Sequence, residues 1–141
     1  MRHLVRLTRA IEFSTSLRYA LPDLSEAANR GRFGARARQH GHNYRLEVTL
    51  RGEVDPVTGM VMDLKLVQDI LDREVMRRFD HKDLNCDTPY FEKLVPSPEN
   101  FALVIRELLV EALPEGVVLD RLRLQPDRDT WVDVVEPASA P

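Results

Sequence analysis

Two histidines two residues apart, His40 and His42, open a stretch of alternating apolar and polar residues. Side chains of an extended strand alternate between its faces, so both imidazoles project the same way and can reach one metal ion. His-x-His alone supplies half of a zinc site, and a pair of partly exposed histidines at a strand start satisfies the same spacing. Upstream lies an arginine run, Arg30, Arg32, Arg36 and Arg38, which reads as a solvated face or as an anion-binding one. The one cysteine, Cys86, is expected to be a buried structural thiol.

The elements that must hold these groups follow from periodicity. Residues 4–14 carry Val5, Leu7, Ile11 and Phe13 on one parity and read as a half-buried strand. Residues 17–39 form a long polar connection, with a helical turn predicted over 24–29. In the second strand Tyr44, Leu46, Val48 and Leu50 alternate with polar residues. Asp55-Pro56-Val57-Thr58-Gly59 is turn chemistry, after which residues 60–62 are predicted as a third, antiparallel strand. Asp63 caps a helix with Leu64, Val67, Ile70, Leu71 and Val75 at helical spacing, ending near Phe79. Ser97-Pro98-Glu99 starts a second helix, with a hydroxyl cap, proline at the first position and an acid in the first turn. Residues 117–125 and 130–136 read as two last strands, and residues 137–141 as a frayed tail.

The chain of 141 residues, 43% hydrophobic and 30% charged, suits one domain, placed at residues 1–136. Its net charge of -3 gives no general attraction for nucleic acid or an anionic membrane. One cysteine excludes an intrachain disulfide framework, and Arg2, His3, Arg6 and Arg9 interrupt any apolar leader, which points to the cytoplasm.

Several motifs in one order carry a more specific signal. Phe13-Ser14, Phe33-Gly34, His40-Gly41-His42-Asn43-Tyr44, the turn ending in Gly59-Met60-Val61-Met62, Asp80-His81-Lys82-Asp83-Leu84-Asn85, Pro89-Tyr90-Phe91 and Ser97-Pro98-Glu99-Asn100 together resemble the 6-pyruvoyl-tetrahydropterin synthase family, which includes the bacterial 6-carboxy-tetrahydropterin synthases. The resemblance implies an α+β tunnelling fold (T-fold): an antiparallel sheet with two helices on one face, in ββααββ order, joined across subunits into a barrel as a trimer or hexamer. It also implies a small-molecule site between subunits, with zinc on three histidines, a cysteine as base, an aspartate and histidine from another subunit, and a glutamate holding the pterin ring.

Carried over residue by residue, the metal positions match His40 and His42, but the third is Leu17. The cysteine position holds Arg36, whose guanidinium stays protonated, and the glutamate position falls on Pro126. Asp80 and His81 match the assisting pair, and Ser97 and Glu99 match the pocket segment. Zinc is therefore implied by the family but is short of a ligand here, and no other cofactor is indicated.

The first reading is a repurposed lyase, cyclase or isomerase, with Asp80 and His81 as the acid/base pair and Arg36 binding an anionic group of a pterin-like or other polar substrate. One alternative is a non-catalytic oligomeric scaffold. Another is a conventional 6-pyruvoyl- or 6-carboxy-tetrahydropterin synthase with a rebuilt zinc site.

Overall fold

The computed structural model describes residues 3–136, so the tail expected at 137–141 lies outside the described residues. Two long strands, β1 (Leu4–Leu17) and β2 (His40–Glu53), pair antiparallel from Leu4 opposite Glu53 to Leu17 opposite His40. β1 thus continues three residues beyond the predicted strand, because β2 pairs with it through the His-Gly-His run. β4 (Val118–Asp127) pairs antiparallel with the other edge of β2, and β5 (Thr130–Val135) follows as a hairpin partner.

The connection between β1 and β2 holds α1 (Glu26–Phe33) and a 3-10 turn (Gly34–Ala37). The helix starts later and runs longer than the turn predicted at 24–29. Ser25 caps it by accepting from the Ala28 N–H, and buried Asn29 ties it to the loop, accepting from the Leu21 N–H and donating to the Leu21 and Leu24 carbonyls.

The predicted strand at 60–62 does not form. Asp55 closes a local turn instead, its carboxylate accepting from the Val57 and Thr58 N–H groups while its own N–H donates to the Met60 carbonyl. These local bonds turn the chain toward the helix cap at Asp63 before a third antiparallel strand can be laid down. The fifth strand is β3 (Lys82–Asp83), two residues that pair parallel to β1 at Thr15 and Ser16. The sheet is therefore mixed, in the order β3-β1-β2-β4-β5, with every other pairing antiparallel.

On one face lie α2 (Leu64–Leu71), a π turn (Asp72–Met76), α3 (Arg77–Phe79) and α4 (Pro98–Ala112). The first three are the single helix predicted to end near Phe79. Asp63 accepts from the Lys65 N–H and Ser97 from the Asn100 N–H, filling backbone donors that have no partner inside a helix. The core between helices and sheet centres on Phe101, whose ring meets Phe13, Tyr44, Phe79 and Phe91. Burying each such side chain contributes about 1.5–3 kcal/mol. The opposite face is polar and ion-paired, with Asp120 between Arg6 and Arg51 and Arg123 held on Asp133.

Candidate functional site

Residues directly opposite one another on antiparallel strands share a face, so the register decides what surrounds the histidines. His40 faces Leu17, His42 faces Thr15 and Tyr44 faces Phe13, all on the side that carries the helices. Phe13 and Tyr44 are buried in the core, whereas His40 and His42 are half-buried at its rim. Their rings lie 5.3 Å apart and perpendicular. Gly41 between them is required by contact: a Cβ there would sit 2.9 Å from the Thr15 carbonyl oxygen.

A hollow of about 380 Å³ opens over this rim, lined among others by Tyr19, Arg36, His40, His42, Glu99 and Asp127. β2 supplies the histidines, and the start of α4 supplies Ser97, Pro98 and Glu99. The β4–β5 turn brings Pro126, Asp127 and Thr130. Arg36 arrives from the 3-10 turn, its guanidinium carbon 5.7 Å from the centre of the Tyr19 ring. Gln39 donates to the Asp83 carboxylate, which anchors this segment to the sheet edge.

The electrostatics follow from partial burial. Burial lowers the His42 pKa and nearby His40 lowers it further, against an opposing pull from Asp127, so the uncharged imidazole is favoured. Burial raises the Tyr19 phenol, with Arg36 opposing and Glu99 reinforcing the shift. Tyr44, deeper in the core, is pushed up to about 12 by burial. His40 makes a 2.8 Å hydrogen bond from Nδ1 to the Arg38 carbonyl, which fixes Nδ1 as the donor and makes Nε2 the nitrogen that can ligate in the neutral ring.

That orientation suits a ligating histidine, but the donor set does not fit zinc. A structural or catalytic zinc takes at least three protein ligands. The place opposite His40 is filled by Leu17, 1% exposed and packed in the core. No group of three or more histidine, cysteine, aspartate or glutamate side chains is placed to hold a metal among the described residues.

Asp80 and His81 do not line this hollow. They sit at the other edge of β1, where the His81 N–H donates to the Ser14 carbonyl and Asp80 Oδ1 accepts from the Ser14 N–H at 3.0 Å. Asp80 Oδ2 lies 3.0 Å from His81 Nδ1, and the His81 side chain is 83% exposed. His81 has φ of 60°, a left-handed conformation that non-glycine residues adopt at a cost of about 1–3 kcal/mol when the surroundings impose it. The Ser14 N–H, followed by His81, holds the Asp80 carboxyl below the usual carboxylate range. One chain therefore carries the Asp80–His81 pair at one edge of the sheet and the hollow at a different place.

The family model for 6-pyruvoyl tetrahydropterin synthase matches residues 6–137. The chain belongs to the 6-pyruvoyl tetrahydropterin synthase family. The human 6-pyruvoyl tetrahydrobiopterin synthase is 41% identical over 115 residues, 80% of this chain and 79% of that protein. The solved structure of Caenorhabditis elegans 6-pyruvoyl tetrahydropterin synthase superposes with a TM-score of 0.89 at 31% identity, covering 97% of this chain and 99% of the other. A Pyrococcus furiosus relative, 35% identical over 97 residues, 67% of this chain and 76% of its own, is named dihydroneopterin monophosphate aldolase. The α+β fold of this family is the one observed here.

Of the residues singled out in the sequence, the structure gathers Arg36, His40, His42, Ser97 and Glu99 into one hollow and keeps Asp80 and His81 apart from it. Tyr19, Asp127 and Thr130 were not anticipated. Asp127 follows Pro126 in the turn between the last two strands, so an acid beside a position already singled out was the available signal. Cys86 is exposed, contrary to the buried thiol expected: it lies in the turn after β3, where its N–H donates to Asp83 Oδ1 and the loop stays on the surface.

Proposed function

We propose that this chain is an enzyme of the 6-pyruvoyl tetrahydropterin synthase family that acts on a pterin-like substrate by proton transfer and carbon–oxygen bond cleavage. On this reading it works as a cytoplasmic trimer or hexamer built from one T-fold domain, residues 1–136. The Asp80–His81 pair of one copy completes the hollow of another. The names of the relatives favour the conventional synthase reaction over the repurposed reading, and both over a scaffold.

The observation that carries the proposal is the geometry of the pair. With Nδ1 3.0 Å from Asp80 Oδ2 and the ring largely exposed, Nε2 is the nitrogen open to a substrate proton, and the carboxylate would steady the imidazolium formed when the ring takes one. Asp80 is itself held by the Ser14 N–H, so the pair is oriented before substrate arrives. Arg36 offers fixed positive charge to a developing oxyanion, and Tyr19 offers a phenol that stays protonated at neutral pH. Glu99 and Asp127 present acceptors to ring N–H donors, a task that Pro126 cannot perform.

The repurposed lyase, cyclase or isomerase remains the second reading. Leu17, Arg36 and Pro126 together favour it, because they remove a metal ligand, a base and an acceptor from one place. The relative named as an aldolase marks a different reaction name within reach of this sequence.

The two readings separate when the purified protein is given 7,8-dihydroneopterin triphosphate. Triphosphate release, lost in Asp80→Ala and His81→Ala while the oligomer persists, supports the synthase-type reaction. Turnover of a pterin without triphosphate release supports the repurposed one. No turnover of any pterin tested would refute the proposal.

A further inference from the structure

Asp83, the second residue of β3, follows His81 closely along the chain and reaches across to the segment that leads into β2. Its carboxylate accepts hydrogen bonds on both oxygens. Oδ1 takes the Asn85 and Cys86 N–H groups at 3.0 and 2.9 Å, which closes the turn after β3. Oδ2 takes the Ser16 hydroxyl at 2.8 Å and the side-chain amide of Gln39. A carboxylate has about four lone-pair sites and no donor, so these partners occupy it fully. Burial pulls the Asp83 carboxyl upward, but the bonds from Ser16, Cys86 and Gln39 outweigh that pull and hold it below the usual carboxylate range.

The two donors on Oδ2 come from different parts of the site. Ser16 belongs to the edge of β1 on which the His81 loop rests: the Ser14 carbonyl takes the His81 N–H at 2.7 Å and the Ser16 carbonyl takes the Leu84 N–H at 2.9 Å. Together these bonds keep His81 at its φ of 60°, a conformation that persists only where the surroundings over-determine it. Gln39 immediately precedes His40 and ends the segment that carries Arg36 into the hollow. The Tyr19 N–H fixes that segment at its start, donating to the Arg36 carbonyl at 2.8 Å, and Asp83 fixes it at its end.

We propose that Asp83 is a positioning residue for both halves of the site, holding the His81 loop through Ser16 and the His40 end of the hollow through Gln39. The catalytic consequence rests on the function proposed above, in which the Asp80–His81 pair serves another copy. One carboxylate then aligns both the hollow a chain owns and the pair it lends.

Ser16→Ala, Gln39→Ala and Asp83→Ala, each in the full-length oligomer, separate the two arms. Histidine side-chain NMR follows His40 and His81, with His3 before the far end of β1 as the control, and amide hydrogen exchange follows the Leu84 N–H. Ser16→Ala is expected to shift the His81 signal and speed Leu84 exchange about tenfold. Gln39→Ala shifts His40 and leaves His81 in place, Asp83→Ala shifts both, and His3 stays fixed throughout. With a pterin that the parent turns over, Ser16→Ala lowers kcat about tenfold at nearly constant KM, whereas Gln39→Ala acts mainly on KM. Asp83→Ala that leaves either His40 or His81 unmoved would overturn the proposal. So would equal shifts at His3, or the same kcat and KM changes in both single-arm variants, since either marks general loosening. A parent that turns over no pterin refutes the proposed reaction instead, and the NMR and exchange results then decide the role of Asp83 by themselves.

Discussion

Replacing Leu17 by histidine tests the reasoning about the histidine rim most directly. Leu17 lies opposite His40 in the β1–β2 register and is 1% exposed, so a histidine there shares a face with His40 and His42. Losing the leucine removes roughly 2 kcal/mol of apolar burial. An imidazole without a partner at the same place adds roughly 1 kcal/mol or more. Metal-free Leu17→His is therefore expected to be about 3 kcal/mol less stable than the parent. With three imidazoles present, free zinc at a hundredfold excess over its dissociation constant returns about 2.7 kcal/mol by mass action. Urea unfolding at one protein concentration, with and without zinc, reads both changes, and elemental analysis after dialysis reads retention. The parent is expected to retain no stoichiometric zinc and to gain little stability from it. About one tightly held zinc per parent chain would refute the account, since it would require a donor from a partner copy or outside the described residues.

Three other perturbations follow from local geometry. Asp80→Asn weakens the acceptor for the Ser14 N–H and His81, at a cost of about 1 kcal/mol at neutral pH. Because the folded Asp80 pKa lies below its unfolded value of about 3.9, the carboxylate's advantage is full above that pH and lost as pH falls through the folded value. The gap in urea midpoint between parent and Asp80→Asn should hold from pH 8 to 5 and close below about pH 4; a gap constant to pH 3 would contradict it. Gly41→Ala drives a Cβ to 2.9 Å from the Thr15 carbonyl oxygen and should destabilise by about 1–3 kcal/mol, with amide shifts in β1 and β2 by NMR. Ser97→Ala removes the cap at Asn100 and should cost about 1 kcal/mol, with faster hydrogen exchange in the first turn of α4. Unchanged exchange there would show that Pro98 and tertiary packing suffice.

Local patterns in this chain were legible because they rest on short-range physics. The period of two assigned His40, His42 and Tyr44 to one face, and the period of 3.6 assigned Val67, Ile70 and Leu71 to another element's buried side. Ser97-Pro98-Glu99 announced a helix start because its groups act within one turn. What the side chains of Leu17, Arg36 and Pro126 can do was likewise legible before any fold, since residue type alone decides whether a side chain can ligate, deprotonate or accept a hydrogen bond.

What surrounds those residues depended on pairings between distant segments, and periodicity carries no information about a partner. The residues at 60–62 have strand character, yet the Asp55 turn and the Asp63 cap claim the backbone first. Two residues with little strand signal, Lys82 and Asp83, became β3 because the His81 and Leu84 N–H groups reach the Ser14 and Ser16 carbonyls of an open edge. Only the tertiary structure could seat Tyr19, Glu99 and Asp127 around His42, place Asp80 and His81 on a different edge, and bring Arg36 alone of the arginine run into the hollow. The sequence by itself determined which groups are available and which face of their own element they occupy. Which of them meet was decided by the path of the chain between elements, where long-range packing outweighs local preference.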